Sequence, residues 1–243
     1  MSLKAIMETV LVVGSTGNIG VSAVTAALRS KRNVLAVVRN QSSADKLVKL
    51  IGSSKGITFA EANVLSDSGI KGVVEQVREG KLPAFQHVFS SVGGEYTTTP
   101  LPEITTAQLR SNFNVSFEAN FFAYRDTIGY LLEQKNPATT WTICTGSQGD
   151  LATHPVPAMT QGALFPMTTA AARENESTTV RFNEIYLGYR VEIDELAEQH
   201  GVTKSSDFAN VYELLLADPN VRSSRVRVDD LDDLKKLKYQ KKF

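Results

Sequence analysis

Short apolar runs alternate with longer amphipathic stretches along nearly the whole chain. Six runs have the length of strands, at Val10–Val13, Val34–Val38, Ile57–Ala60, His87–Val92, Trp141–Thr145 and Val180–Leu187. They are mostly apolar, as strands buried on both faces of a parallel sheet should be. The intervening stretches predict helices near Asn18–Ser30, Ser43–Ile51, Ser68–Glu79, Thr106–Gln134 and Ala158–Glu174.

This alternation predicts right-handed βαβ units and an α/β fold. The expected architecture is a single Rossmann-type doubly wound parallel sheet of about seven strands, with helices on both faces. After the sixth strand the sequence predicts helices over Val191–His200 and Ser206–Ala217 and a short strand over Ser224–Val228. Residues 1–228 are therefore predicted to form one domain that includes the ligand pocket.

Residues 229–243 form a charged C-terminal tail in this prediction. An acidic cluster (Asp229, Asp230, Asp232 and Asp233) precedes a basic cluster from Lys235 to Lys242. Acidic residues early and basic residues late complement a helix dipole, so a solvated terminal helix is expected. A tail that binds a partner is the alternative.

Composition excludes several classes of protein. The 243 residues include one cysteine, Cys144, which excludes a disulfide framework or a cysteine-rich zinc site. His87, His154 and His200 lack metal-ligand spacing, so no metal is predicted. Lys plus Arg equals Asp plus Glu at 26 each, which gives no bulk attraction for nucleic acid or anionic membrane. With no apolar run of ~18 residues and no signal-like stretch in the first nine residues, a cytoplasmic location is expected.

A glycine-rich turn is the strongest local signal. Gly14, Gly17 and Gly20 follow the first predicted strand and open the first predicted helix. In this context the first glycine permits a sharp turn, the second lets the backbone approach a diphosphate, and the third lets the helix pack on the sheet. The predicted cofactor-binding residues here are Gly14, Ser15, Thr16, Gly17, Asn18, Ile19 and Gly20. The alternative is a tight turn with no ligand.

The end of the second strand indicates which dinucleotide is favoured. Sites that prefer NAD commonly place an acid here for the ribose diol. This strand ends in Ala36–Asn40 and contains no acid, whereas Arg39 can contact a 2′-phosphate and stack on adenine. NADP(H) is therefore the first candidate cofactor and NAD(H) the second. A solvated Arg39 at a strand end is the alternative.

Several segments, in this order and spacing, resemble the short-chain dehydrogenase/reductase family. Besides the glycine turn, they are Asn63-Val64, Ser90–Gly94, Asn114–Ser116, Ile143–Ser147, Val180–Gly188 and Asp207–Asp218. The resemblance implies that further residues line the cofactor, namely Asn63, Val64, Ser91, Val92, Gly93 and Asn114. It also implies a small-molecule substrate and a homodimer or homotetramer built on the fourth and fifth predicted helices, where Phe121, Phe122 and Tyr124 offer aromatic surface.

The resemblance breaks down at the family's Ser, Tyr and Lys. Ser147 matches the serine, but counting onward places Met159 at the tyrosine and Ala163 at the lysine. The stretch 136–185 contains neither Tyr nor Lys, so no shift of register restores the pair. The usual alcohol/ketone mechanism therefore lacks its acid.

Three other side chains are candidates for the missing chemistry. Ser147 is either a substrate hydrogen-bond donor or a turn serine. His154 lies in the loop that follows, and its imidazole can titrate near neutrality. Tyr96 is a second proton-donor candidate from a neighbouring loop, against simple packing or exposure. Glu184 and Tyr186, near the end of the sixth strand, are expected to line the same cleft.

Three functions remain open at this point. The first is an NADP(H)-dependent oxidoreductase with a non-standard proton donor, acting on a small organic substrate such as a secondary metabolite. The second is a redox-neutral isomerase or cyclase that reuses the pocket. The third is a non-catalytic nucleotide-sensing regulator. Fold alone does not separate them.

Overall fold

A computed structural model describes residues 7–94 and 96–243. In these residues, seven parallel strands form one sheet in the order β3-β2-β1-β4-β5-β6-β9. They are β1 Thr9–Val13, β2 Asn33–Val38, β3 Ile57–Glu61, β4 His87–Ser90, β5 Thr140–Gly146, β6 Arg181–Leu187 and β9 Ser224–Val228. The predicted α/β sheet is confirmed. The sequence predicts no signal-like stretch in the first nine residues, and residues 1–6 lie outside the described part of the chain.

Helices cover both faces of the sheet, as predicted. The apolar sides of α1 Asn18–Arg29, α2 Gln41–Ile51 and α9 Ser205–Ala217 pack on one face. The other face is covered by α3 Gly69–Arg78, α5 Ala119–Glu133 and α7 Pro155–Glu174. Shorter helices are α4 Thr106–Phe113, α6 Gln148–Leu151 and α8 Asp194–His200. None of the described helices is long and apolar enough to cross a membrane.

The strand order places a crevice beside β1. Strand β1 lies between β2 and β4, so the chain leaves β1 and β4 toward opposite sides of the sheet. Ligands of doubly wound sheets bind at such a switch point, outside the carboxyl ends of the strands. The glycine turn follows β1 and the segment Ser91–Gly94 follows β4, so both border this crevice.

Two long predicted helices have local irregularities. The helix predicted over Thr106–Gln134 consists of α4, a π-helical turn over Asn114–Glu118, and α5. Such turns widen a helix and often mark functional sites. Helix α7 continues through Pro166 to Glu174.

The predicted terminal helix is wrong. Within residues 229–243 only Asp232–Leu234 is helical, as one 3₁₀ turn, and Lys238–Lys241 forms β10. Strand β10 pairs antiparallel with β9 and so extends the main sheet. The outer edge of β9 offers unpaired backbone groups, and pairing satisfies them. The tail therefore belongs to the domain predicted over 1–228.

A second correction concerns the helix predicted over Val191–His200. Its first residues form β7, Val191–Glu192, which pairs with β8, Thr203–Lys204, in a separate two-stranded sheet. Only α8 is helical. Ser205 joins this small sheet to α1, because its buried hydroxyl donates to the carbonyls of Glu192 and Asn18, each at 2.8 Å.

An aromatic cluster fills the core between β5, β6 and α5. Trp141 is fully buried and stacks on Phe182 with ring centroids 5.3 Å apart. The edge of Tyr124 faces both rings. The indole N–H donates to the hydroxyl of Thr127 at 2.9 Å, which satisfies its one polar group.

Candidate active site

The turn after β1 brings backbone segments so close together that a side chain would not fit between them. Gly14 has φ +87°, and a Cβ there would lie 2.9 Å from the carbonyl oxygen of Ser91. A Cβ on Gly20 would lie 2.0 Å from the carbonyl oxygen of Gly14. Helix α1 therefore begins against the crevice, with Gly17 as its N-cap, no side-chain cap and no acid in its first turn. Its free N–H groups and positive dipole end fit a diphosphate.

Several side chains in this turn serve the fold. The hydroxyl of Ser15 is buried and donates to a carbonyl at the end of β2 at 2.7 Å. The side-chain oxygen of Asn18 accepts from the backbone N–H that follows β7 at 3.3 Å. Ile19 packs against the core, and Thr16 is half-buried. The side chains of Ser15 and Asn18 thus contact neighbouring elements. Only their backbone groups are available to bind a ligand in this turn.

The adenosine end of the predicted cofactor site lies beyond β2 and β3. Arg39 follows β2 directly and is exposed. The next residue, Asn40, caps α2 by accepting from the N–H of Ser43 at 3.0 Å, and no acid occupies the first turn of that helix. Asn63 follows β3 and accepts from the N–H of Leu65 at 3.1 Å. A guanidinium beside a helix N-terminus favours a phosphate group here.

Asn120 fixes the segment that follows β4. Its buried amide donates to the carbonyl of Val92 at 2.7 Å, and its oxygen accepts from the hydroxyl of Ser90 at 2.7 Å and from the N–H of Val92 at 3.2 Å. The hydroxyl oxygen of Ser91 is buried without a hydrogen-bond partner among the described residues. Such a group calls for a ligand or water. At Gly93 a Cβ would meet open space.

The family resemblance predicts that Asn114 is the helix residue that lines the cofactor. The structure places its amide toward the carbonyl of Leu65 at 3.2 Å and the carboxylate of Glu118 at 2.9 Å. Ser116, buried in the π-helical turn, accepts instead from the N–H of Gly94 at 2.9 Å. Ser116 and Asn120 therefore face the loop after β4, and the sequence analysis missed both.

Ser147 lies where β5 ends and α6 begins. Its hydroxyl donates to the carbonyl of Gly188 at 3.2 Å, and its N–H donates to the carbonyl of Leu187 at 2.9 Å. Both bonds connect the loop after β5 to the end of β6. In this arrangement the serine is held by the neighbouring strand.

The side chain of α7 that reaches the end of β5 is Gln161. Its amide oxygen accepts from the N–H of Gly146 at 2.8 Å. Met159 is 36% exposed, Ala163 is half-buried, and Thr160 is buried with its hydroxyl on the carbonyl of Pro157. No residue of α7 is a Tyr or a Lys. An amide of α7 therefore contacts the end of β5, and the sequence analysis did not identify it.

Tyr96 approaches the same point from the loop after β4. Its hydroxyl lies 3.4 Å from the position of a Cβ on Gly146, and the oxygen of Gln161 lies 3.7 Å from that position. Its ring meets the edge of His154 with centroids 5.8 Å apart. Desolvation of the hydroxyl raises the pKa of Tyr96 above its ordinary value. Two predicted proton donors, Tyr96 and His154, are thus brought together at the end of β5.

Glu184 does not line this cleft. It is fully buried and accepts from the hydroxyl of Thr145 at 2.7 Å. Arg225 binds both of its oxygens, at 2.9 and 3.1 Å, and the ammonium of Lys242 binds it as well. Tyr186 donates to Asp150 at 2.8 Å. A buried carboxylate with two cations is a structural ion cluster, and it attaches Lys242 to Glu184 of β6.

Comparison with known proteins identifies the family. A family model described as short chain dehydrogenase matches residues 8–195. The chain belongs to the short-chain dehydrogenase family. The chain is also 52% identical over 240 residues to the short-chain dehydrogenase/reductase iacG of Pestalotiopsis fici, covering 97% of this chain and 96% of that protein.

Solved structures share the fold of this chain at low identity. A glucose/ribitol dehydrogenase of the family from Brucella melitensis superposes with a TM-score of 0.75 at 19% identity, covering 91% of this chain and 94% of that one. ElxO with NADP bound superposes with a TM-score of 0.77 at 14% identity, covering 89% and 94%. Family and fold together support an oxidoreductase with a nicotinamide cofactor.

The glycine turn gives a first test of this site. Gly20→Ala should lose NADPH binding and also destabilise the fold by about 1–3 kcal/mol, because the new Cβ would overlap the carbonyl of Gly14. Gly17→Ala is the matched control: its Cβ would meet only the carbonyl of Gly14, at 3.5 Å. That variant should fold normally. Its affinity for NADPH should nevertheless fall, because the Cβ would obstruct the diphosphate. Urea unfolding and NADPH titration measure the two effects, and wild-type behaviour of Gly20→Ala would contradict the turn geometry.

Proposed function

We propose that this protein is an NADP(H)-dependent oxidoreductase that acts on a small organic substrate and uses Tyr96 as its proton donor. The observation that carries the proposal is the position of the Tyr96 hydroxyl beside Gly146, at the carboxyl end of β5. The glycine turn, the unpartnered hydroxyl of Ser91 and the free N-terminus of α1 support cofactor binding on the other side of the same crevice.

The proton chemistry follows from the position of the Tyr96 hydroxyl beside Gly146, since a phenol is protonated at neutral pH. A bound nicotinamide would supply a hydride to the substrate carbon. The Tyr96 phenol would donate its proton to the substrate oxygen, and water would restore the proton to the phenolate. A phenol that stays protonated at neutral pH suits reduction, since oxidation of an alcohol needs it as a base. In the usual family arrangement a lysine lowers the phenol pKa, and α7 has none.

The cofactor preference rests on Arg39. We expect NADPH to bind more tightly than NADH, since the guanidinium and the start of α2 favour a 2′-phosphate. Arg39→Glu should weaken NADPH binding by about 10-fold or more and change NADH binding little. Calorimetric titration of both cofactors, after removal of co-purified nucleotide, measures this. Equal losses for the two cofactors would contradict phosphate recognition by Arg39, and no binding of either to the wild type would overturn the proposed function.

A redox-neutral conversion is the second candidate, because α7 lacks the Tyr and Lys of the family chemistry. The two functions differ in one signal. An oxidoreductase consumes NADPH, and the absorbance at 340 nm falls as an acceptor from a panel of quinones, enones and ketones is added. An isomerase or cyclase converts its substrate with that absorbance unchanged.

We also propose a homodimer or homotetramer formed through the helical surface of α4, α5 and α7. Phe121 supports it, because 39% of the residue is exposed on α5. Tyr124 does not, because it packs against Trp141 and Phe182 in the core. Phe122 lies under the guanidinium of Arg125. Light scattering of the wild type and of Phe121→Glu tests this surface.

A further inference from the structure

Asn18, the first residue of α1, is bonded to the small sheet of β7 and β8 through two of its groups. Its side-chain oxygen accepts from the N–H of Ile193, which follows β7, at 3.3 Å. Its carbonyl oxygen lies 2.8 Å from the hydroxyl of Ser205, the first residue of α9. The glycine turn is therefore attached to the segment that connects β6 to α9.

The hydroxyl of Ser205 is a buried donor shared by two elements. Its single proton lies between the carbonyl oxygens of Asn18 and Glu192, each at 2.8 Å. Ser205 has no exposed surface, so bulk water does not take the place of this donor if the hydroxyl is removed.

The small sheet that carries Ser205 is itself fixed by side-chain contacts. The carboxylate of Glu192 in β7 lies 2.5 Å from the guanidinium of Arg190 and 2.6 Å from the imidazole of His200, which ends α8. Strand β8 pairs with β7 and leads directly into Ser205. The position of the Ser205 hydroxyl is therefore determined by the whole unit of β7, α8 and β8.

The carbonyl that Ser205 contacts belongs to the same peptide group as a donor of the glycine turn. The carbonyl of Asn18 and the N–H of Ile19 form one planar peptide group. That N–H lies in the first turn of α1, where backbone donors have no partner within the helix. A hydrogen bond to the carbonyl fixes the orientation of the peptide plane and polarises its N–H, which makes the N–H a stronger donor. The hydroxyl of Ser22 donates to the same carbonyl at 3.2 Å.

We infer that the small sheet positions the N–H of Ile19 for the diphosphate of a bound cofactor, with Ser205 as the positioning residue. This inference rests on the proposed function, because it takes the glycine turn as the diphosphate site. Ser205 acts through the peptide between Asn18 and Ile19, and the N–H of Ile193 supports the same residue through its side chain. Part of the affinity for the cofactor is therefore determined about 190 residues beyond the glycine turn in the chain.

Removal of the Ser205 hydroxyl tests the inference. Ser205→Ala should weaken NADPH binding by about 3- to 10-fold in calorimetric titration, because the peptide loses one hydrogen bond. Binding of 2′-AMP, which has the 2′-phosphate but no diphosphate, should stay unchanged. Ser206→Ala is the matched control, because it removes the neighbouring half-buried hydroxyl, which has no hydrogen bond among the described residues, and it should change neither affinity. Urea unfolding shows whether each variant is folded under the conditions of the titration.

Ile193→Pro tests the second contact independently. Proline has no N–H to donate to Asn18, and its ring fits the φ of −57° at Ile193. This variant should also weaken NADPH binding and leave 2′-AMP binding unchanged. It carries the test if Ser205→Ala does not fold.

Two results would overturn the inference. The first is a folded Ser205→Ala that binds NADPH like the wild type, or Ile193→Pro with that behaviour where Ser205→Ala does not fold. The second is a loss of 2′-AMP binding in parallel with NADPH, which would show a general change of the site and no specific effect on the diphosphate. Both results leave the proposed function standing, because the wild type still binds NADPH. A wild type that does not bind NADPH would remove the proposed function and this inference together.

Discussion

Replacing Tyr96 by Phe should lower the turnover of the best carbonyl acceptor by about 10²–10⁴-fold, because the substituted enzyme loses its proton donor. The affinity for NADPH should stay within about 2-fold of wild type, since the variant leaves the glycine turn and the segment after β4 unchanged. The ring itself is kept, so its edge contact with His154 is preserved. Steady-state consumption of NADPH and calorimetric titration measure the two quantities.

The pH dependence distinguishes the two proton-donor candidates. Because the pKa of Tyr96 is raised above its ordinary value, the phenol stays protonated through neutrality and the reduction rate should be flat from about pH 6 to 9. The rate should fall only as the pH rises through the phenol pKa, where the acid form is lost. A rate that falls well below the phenol pKa, and that His154→Gln abolishes, would contradict Tyr96 as the proton donor.

Replacing Glu184 by Gln should destabilise the fold by about 3–5 kcal/mol. The substitution keeps the shape of the side chain but leaves the guanidinium of Arg225 and the ammonium of Lys242 without their carboxylate. The side chain of Lys242 is only 3% exposed, so water cannot replace the lost partner. Urea unfolding measures the loss, and an effect below about 1 kcal/mol would contradict a buried ion cluster.

Two further variants separate this cluster from ordinary ion pairing. Glu133→Gln breaks the pair with Arg78 at the surface, where Glu133 is 59% exposed, and should leave the urea midpoint close to that of the wild type. Combining Glu184→Gln with Lys242→Met should recover at least about 1 kcal/mol relative to Glu184→Gln alone, because the unpaired ammonium is removed as well. Simple additivity of the two substitutions would show that the residues act independently.

The strands were predictable because each buried run carries its own signal, and the glycine turn was predictable because its chemistry is local. The C-terminal tail was not. Its order of acidic and basic residues favours a helix when considered alone. The partner of Lys242 is Glu184, 58 residues earlier in the chain, and the edge of β9 supplies the backbone bonds of β10. Contacts of that range are absent from a local charge pattern.

The candidate site likewise contains residues with a local sequence signal and residues placed only by long-range packing. Gly14 and Gly20 are placed as predicted, whereas Gln161 and Ser116 reach the crevice only because α7 and the π-helical turn pack beside it. Asn120 had a readable signal. It interrupts a buried stripe of α5 at helical spacing, and a polar residue on such a stripe must find a buried partner. Asn114 matched the family pattern by position, and the fold directs it to Leu65.

The stacked position of Trp141 gives the protein an internal optical reporter. It is the one tryptophan of the sequence, fully buried against Phe182 and bonded to Thr127, in β5 well below the crevice. Its emission should stay at short wavelength in every variant that keeps this core and move to long wavelength when the core opens to water. A variant that no longer binds NADPH but keeps the short-wavelength emission has therefore lost its binding site. A variant whose emission moves to long wavelength has lost its fold.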